Sequence, residues 1–411
     1  MRLGVRAVDD IIGQGRDREP RRRPGRLALI AALVAVAAGV AGYLSLARHH
    51  PAAPSAAPSA SAAASVPAEP DGIAGPALAW ASSLRLPAAG ARPSWFSPAS
   101  GRSEPIGGLP ADNAGYQFTR VAGGWAVQAR PTATVRCAGC AGPSGPAWFL
   151  ADGAQSVTSL GPATLVAPAA TAGAAWLTSY PAGASLTTAA GTAVEASAAG
   201  QRTRPVWLPP GYVIVRGTGY GLLLAPVSQP PAGTADRLWD PATARSGQAF
   251  DQVLAASPGE IAWAAPCDPR CRVQALDLAT GRRTAVTLPA GSSAVSGAFS
   301  PDGDFLAVAV SAGSGSDNGD LAVRLEVAPV ASGRLAVVPG TFASSDALVG
   351  FGWPGGGDSL VAEFRFTTKT QLASWHPGAA LPAVAVVPVS SVLETLVLGQ
   401  DGDLPISISS R

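Results

Sequence analysis

The sequence predicts an all-β fold assembled from repeated four-stranded units, and three observations predict it. From about residue 76 the chain consists of short apolar runs punctuated by turns, and its 48 Gly and 38 Pro suit many tight turns between short strands. Six segments there share a glycine turn followed by a short apolar strand: Ala122–Ala129, Ala172–Tyr180, Gly217–Pro226, Pro258–Pro266, Pro301–Val310 and Gly356–Phe364. Successive copies lie about 40–54 residues apart, the repeat length of one propeller blade. The chain ends supply complementary pieces of one more unit, Ser94–Pro110 matching the last two strands and Val392–Ser409 the first two. Six complete units and two halves give a seven-bladed β-propeller, six or eight blades being also compatible. Pairing of the N- and C-terminal strands closes it and removes the free sheet edges that template aggregation.

Residues 1–26 hold eight Arg against four acids and are too short for a folded domain, so they read as a basic cytoplasmic tail. Leu27–Ala47 follows, twenty-one residues without a charge. At 1.5 Å rise per residue it reaches about 31 Å, enough to cross a hydrocarbon core of about 30 Å. Arg21, Arg22, Arg23 and Arg26 stand before it and hold the N-terminus inside under the positive-inside rule; Tyr43 sits near the outer end. The core is longer than that of a cleaved signal peptide, and Arg48-His49-His50 occupies the place of a cleavage site, so it reads as one uncleaved transmembrane helix. Residues 48–75 form a Pro/Ala/Ser linker with almost no large side chains to bury, which leaves its ordering entropy unopposed. Residues 76–411 are the extracytoplasmic propeller.

Within that region a strand–turn–strand piece follows several of the glycine-turn segments: Leu238–Phe250, Val273–Pro289 and Leu325–Gly340. The turns Ala279-Thr280-Gly281-Arg282 and Ser332-Gly333-Arg334 place Gly where a hairpin needs positive φ.

The segment Ala298–Val310, "AFSPDGDFLAVAV", resembles the repeat of TolB-like and WD-repeat-like β-propellers, in which Ser-Pro-Asp-Gly turns the chain between the first two strands. Ala255–Ala265 and Gly350–Phe364 look like degraded copies, and Trp239-Asp240 is one isolated match to the Trp-Asp dipeptide. The resemblance covers about residues 76–411 and implies fold; propellers of this kind include binding scaffolds, carbohydrate binders and enzymes. The layout of anchor, linker and propeller is similar to that of actinobacterial membrane-anchored propeller proteins.

Four cysteines occur as two close pairs, Cys137/Cys140 and Cys267/Cys271, each between a second and a third strand. Each is expected to be a local disulfide, which suits an oxidising compartment. A four-cysteine zinc site would require distant loops to meet, and a redox pair normally opens a helix. His376 is the only histidine beyond the anchor flank, which argues against a Ser-His-Asp triad or a histidine-rich metal site; it reads as a turn residue. Asp317-Asn318-Gly319-Asp320 lacks the spaced carboxylates of a calcium loop, and Asp302/Asp304 and Asp401/Asp403 alternate through glycine turns. Trp125, Trp176 and Trp263 fall at similar places in their repeats and read as packing between blades. No catalytic, cofactor-binding or metal residue is assigned, and no cofactor is expected.

Net charge is +2 for the whole chain, so with +4 in residues 1–26 the remainder is near −2. A nearly neutral ectodomain argues against nucleic-acid binding, which needs a basic face. The expected function is therefore a membrane-tethered binding or interaction module for a protein or a cell-envelope polymer, more plausibly not an enzyme. The alternative is a carboxylate-based hydrolase or lyase with its site at the propeller channel.

Overall fold

A computed structural model describes residues 86–396 apart from internal stretches, of which 130–139, 228–234, 313–321, 354–358 and 388–394 are the longest. The basic tail, the anchor Leu27–Ala47 and the linker lie outside the described residues, as do Cys137, Asp317–Asp320, Asp401 and Asp403. Among the described residues, no helix is long and apolar enough to cross a membrane.

The described residues form seven antiparallel sheets and no helix. Six sheets are each built from consecutive strands, over residues 116–163, 165–208, 212–250, 252–287, 292–344 and 348–387; they are sheets I to VI below. The chain meanders through each in order, so the first and fourth strands take the two edges. First strands of neighbouring sheets approach one another, I with II, II with III, IV with V and V with VI, which places them around a common axis. This is the arrangement of a β-propeller.

Burial explains why the sheets stack. The second strands read as near-continuous apolar runs, as in Gly124–Ala129 (GWAVQA) and Phe305–Ala312 (FLAVAVSA), because both of their faces are covered. Alternate residues then feed two different seams. In sheet V, Ala307, Ala309, Val323, Leu325 and Val327 pack on sheet VI with Phe351 and Phe364. Leu306, Val308 and Val310 turn the other way, onto Val273 and Val286 of sheet IV. The same interdigitation recurs at the seams of I with II, II with III and III with IV.

All six glycine-turn segments prove to be second strands of sheets I to VI. The hairpin pieces are third and fourth strands, with Gly281 at φ 70° and Gly333 at φ 63° as their turns require. Sheet V departs from a plain hairpin: two short strands, Ala336–Val337 and Ala343–Ser344, share the fourth position along Ala322–Pro329. Buried Thr341 fills the break, its Oγ1 donating to the Val338 carbonyl (2.7 Å) and accepting from the Leu325 N–H (3.2 Å). A further regularity was not anticipated. The first strands of sheets III to VI each carry a register shift against the second, at Ile214/Arg216, Val253/Ala255, Ala294/Ser296 and Leu348/Gly350, consistent with bulges that tighten the local twist.

The seventh sheet joins the chain ends. Its order is Thr395–Leu396, Leu86–Ala89, Ser94–Ser97 and Arg102–Pro105, with Ala88 opposite Leu396 and Ala89 opposite Thr395. This corrects the expected division of two strands from each end. Among the described residues the N-terminal side gives three strands and the C-terminal side one, because Leu86–Ala89 takes the second position that Val392–Ser409 was expected to fill. Trp95 of this sheet and Ile106, just after its last strand, pack on Tyr116, Trp125 and Trp148 of sheet I.

Candidate binding cleft on the turn face

An antiparallel meander puts the first-to-second and third-to-fourth turns of every sheet at one end, the turn face, and the second-to-third loops at the other. The three described cysteines lie on the loop face. Cys267 and Cys271 are disulfide-bonded between the second and third strands of sheet IV. Cys140 sits in the equivalent loop of sheet I, is disulfide-bonded, and pairs in a β-bridge with Ser185 of the matching loop in sheet II.

The turn face is held by a repeated backbone bond. In four sheets the residue just after the third strand donates its N–H to the residue just before the second. Asp152 donates to Gly123 (3.2 Å), Ala198 to Gly173 (2.9 Å), Leu278 to Gly259 (2.8 Å) and Val330 to Asp304 (2.8 Å). Sheet III breaks the pattern, since the donor position is Pro241, which has no N–H to give to the Tyr220 carbonyl. At this break a cleft of about 270 Å³ opens between sheets II and III, lined among others by Trp176, Glu195, Thr218, Tyr220, Gly221 and Asp240.

Each of these side chains is placed by strand register. Trp176 and Glu195 are direct partners on the second and third strands of sheet II and so share the face that packs on sheet III. Trp176 is only 7% exposed, and a methyl group at Gly217 would lie 2.4 Å from its Nε1, so glycine is required there for the ring to fit. Tyr220 occupies the turn after the first strand of sheet III and is half exposed. Its N–H donates to Thr218 Oγ1 (3.2 Å), whose hydroxyl donates to the Gly221 carbonyl (2.9 Å), while the Gly219 N–H donates to Pro258 of sheet IV (2.8 Å). Asp240 ends the third strand. Its carboxylate accepts from the Thr243 hydroxyl (2.7 Å) and the Ala242 N–H (2.9 Å), and these bonds hold its pKa below the ordinary value. Asp277 makes the same turn in sheet IV with Thr280 and Ala279, so Asp240-Pro-Ala-Thr and Asp277-Leu-Ala-Thr are equivalent apart from the proline.

A second acidic group lies farther along the same face. Glu260 is the strand partner of Asp277, and its Oε2 is buried without a partner against Gly303 of sheet V, where a methyl would lie 2.6 Å away. Burial pushes Glu260 up to about 7, with the charges of Asp277, Asp304 and Asp302 adding and Arg282 opposing. Such a carboxyl holds a proton near neutrality, but its free oxygen faces backbone and leaves no room for a substrate.

The residues singled out from the sequence fall as follows. Trp125, Trp176 and Trp263 are all buried at seams between sheets, Trp125 and Trp263 toward the preceding sheet and Trp176 toward the following one. His376 is exposed, with Nδ1 2.9 Å from the Pro377 carbonyl. Asp302 takes the Ser300 hydroxyl (2.5 Å) and the Asp304 N–H (3.1 Å), which makes it a turn residue. Among the described residues, no group of three or more His, Cys, Asp and Glu could hold a metal ion. Tyr220, Glu195 and Asp240 were not anticipated; the available signal was a proline where the matching turn of sheet IV has leucine.

No family model and no curated protein matches the chain. Among solved structures it is similar to the hydrazine synthase of Kuenenia stuttgartiensis, at 14% identity over 60% of this chain and 80% of that one, with a TM-score of 0.37. It is also similar to the β-propeller domain of the Trilobed protease from Pyrococcus furiosus, at 9% identity over 74% and 91%, TM-score 0.46. A third is an acylaminoacyl peptidase, at 10% identity over 72% of this chain and 47% of that chain, TM-score 0.47. At these identities and scores no residue role or activity is carried over, and the fold assignment rests on the sheet topology.

Proposed function

We propose that this chain is a membrane-tethered, extracytoplasmic propeller of seven blades that acts as a binding module for a protein or cell-envelope polymer through its turn face. The observation that carries the binding reading is the cleft at Pro241, where one sheet gives up a bond made by four others and presents a half-exposed tyrosine beside two carboxylates. An exposed aromatic beside converging polar groups at a concave site is the usual form of a recognition surface. The tether reading rests on Leu27–Ala47 with its preceding arginines, and the outside location also on the disulfide Cys267–Cys271.

The hydrolase alternative has one observation in its favour, the raised carboxyl of Glu260 among three aspartates. Its shielded oxygen makes it the weaker reading. A photo-crosslinking amino acid at position 220 of the full chain in intact cells tests the binding role. Adducts are expected from position 220 and not from position 268 on the loop face. Equal labelling at both sites, or none at 220, contradicts it. Protease added to intact cells should remove the propeller; full protection would contradict the outside location.

A further inference from the structure

We infer that the outer rim between sheets I and II is a docking surface for the chain's own Pro67–Asp71 segment (Pro-Ala-Glu-Pro-Asp), held by the exposed ring of Trp207 with Arg202 and Arg204.

Trp207 lies in the three-residue strand Val206–Leu208, the outer edge of sheet II. At 73% it is more exposed than any other large hydrophobic side chain among the described residues. Side chains alternate along a strand, and its neighbour Leu208 packs into the seam with sheet III, so Trp207 turns to the sheet I side. Arg202 turns the same way, its Nη2 donating to the Leu160 carbonyl of sheet I (2.7 Å), and keeps further guanidinium N–H donors. Arg204 is exposed and, among the described residues, pairs with no acid. The outer strand of sheet I, Thr158–Ala163 (TSLGPA), carries no charge. The rim is therefore both apolar and basic. Addition of a strand at this edge is a poor fit, because Pro205, Pro209 and Pro210 bracket a very short strand.

Three features select Pro67–Asp71 as the occupant. Pro67 and Pro70 have the Pro-x-x-Pro spacing, which at three residues per polyproline turn puts both rings on one face, the form that docks on exposed aromatic side chains. Glu69 and Asp71 flank that face and are the only acids between residues 48 and 85, so they supply the charge that Arg202 and Arg204 call for. The reach also suffices. The described chain begins at Leu86 in the seventh sheet, fifteen residues after Asp71, a span of up to about 50 Å. The seventh sheet packs on sheet I and sheet I on sheet II, so the rim is two seams away. A tether this short holds the segment at about millimolar effective concentration, and a few weak contacts are then enough. An anionic lipid surface would also take tryptophan and arginine, and the test separates the two.

The test places a photo-crosslinking amino acid at position 207 of the full-length chain, held in nanodiscs of zwitterionic or of anionic lipid. Irradiation is expected to join position 207 to the peptide containing residues 67–71 of the same chain, with a yield independent of dilution and of lipid charge. Glu69→Lys/Asp71→Lys should lower that yield about fivefold or more, and adding Arg204→Glu should regain part of it, a rescue that a purely structural role for Arg204 would not give. A synthetic peptide of residues 64–74 should compete at about millimolar concentration. No adduct to residues 67–71, or a yield indifferent to the charge reversal, overturns the assignment. Lipid adducts that form only in anionic nanodiscs give the rim to the membrane surface, and protein adducts in intact cells without any to residues 67–71 give it to a partner; either result overturns the proposal. Crosslinking from position 220 reports a different surface and stands or falls separately.

Discussion

At Glu260 burial and ionisation compete, and the outcome is measurable. Its folded pKa of about 7 lies above the usual 4.5, so the folded state holds a proton that the unfolded state releases. The resulting stability is fully present below about pH 4.5 and is lost as pH rises through about 7. Asp236, whose Oδ2 accepts the Val253 N–H across the seam of sheets III and IV, is raised to about 6 by burial and acts in the same direction. Thermal melts are therefore expected to move down between about pH 5 and pH 8. Glu260→Gln should flatten that slope and stabilise the protein at pH 8 by about 1 kcal/mol, less than full linkage because the carboxyl is only partly buried. An unchanged slope in the variant would remove Glu260 as its source. Gly217 poses a steric question instead. A methyl there meets Trp176 Nε1 at 2.4 Å, so Gly217→Ala should cost about 1–3 kcal/mol and shift tryptophan emission, whereas a neutral effect would mean the ring has room to move.

Elements are joined on the turn face by the bond from the end of the third strand to the start of the second. Leu278→Pro copies the chemistry of Pro241 into sheet IV and leaves the Gly259 carbonyl bare. It should cost about 1–3 kcal/mol in chemical denaturation and speed exchange of the neighbouring turn amides. If exchange there is unchanged, the bond is not what holds the turns. Much at this scale could be read in the sequence. A glycine turn before an apolar run marked the second strand of each of sheets I to VI, because turn and two-sided burial are written in single residues, the positive φ of Gly123 and Gly303 among them. The bulges of sheets III to VI could not be read, since a one-residue register shift leaves composition untouched. The cleft was equally hidden. Its carboxylates belong to ordinary-looking turns, and only alignment of Asp240 with Asp277 shows what Pro241 takes away.

For the whole molecule the decisive feature is closure. Sheets I to VI bury their seams in sequence, and a run of stacked sheets without closure would end in exposed strands. The composite sheet resolves this by placing Thr395–Leu396 beside Leu86–Ala89. The sequence indicated that the two ends complete one sheet, because Ser94–Pro110 repeats a third-and-fourth-strand piece. It misjudged the division, because Leu86–Ala89 (LPAA) has neither the glycine turn nor the apolar run that marks the other second strands. Every reading of the turn face depends on this ring, since the relative placement of sheets II and III is fixed only if the stack is held at both ends. Oxidation of a full-length Ala88→Cys/Leu396→Cys variant tests it most directly, because these residues are strand partners across the junction. The account predicts a bond between positions 88 and 396, seen as a linked peptide in the non-reduced digest and as raised resistance to denaturant. Free thiols at both positions under conditions that preserve Cys267–Cys271 would contradict it.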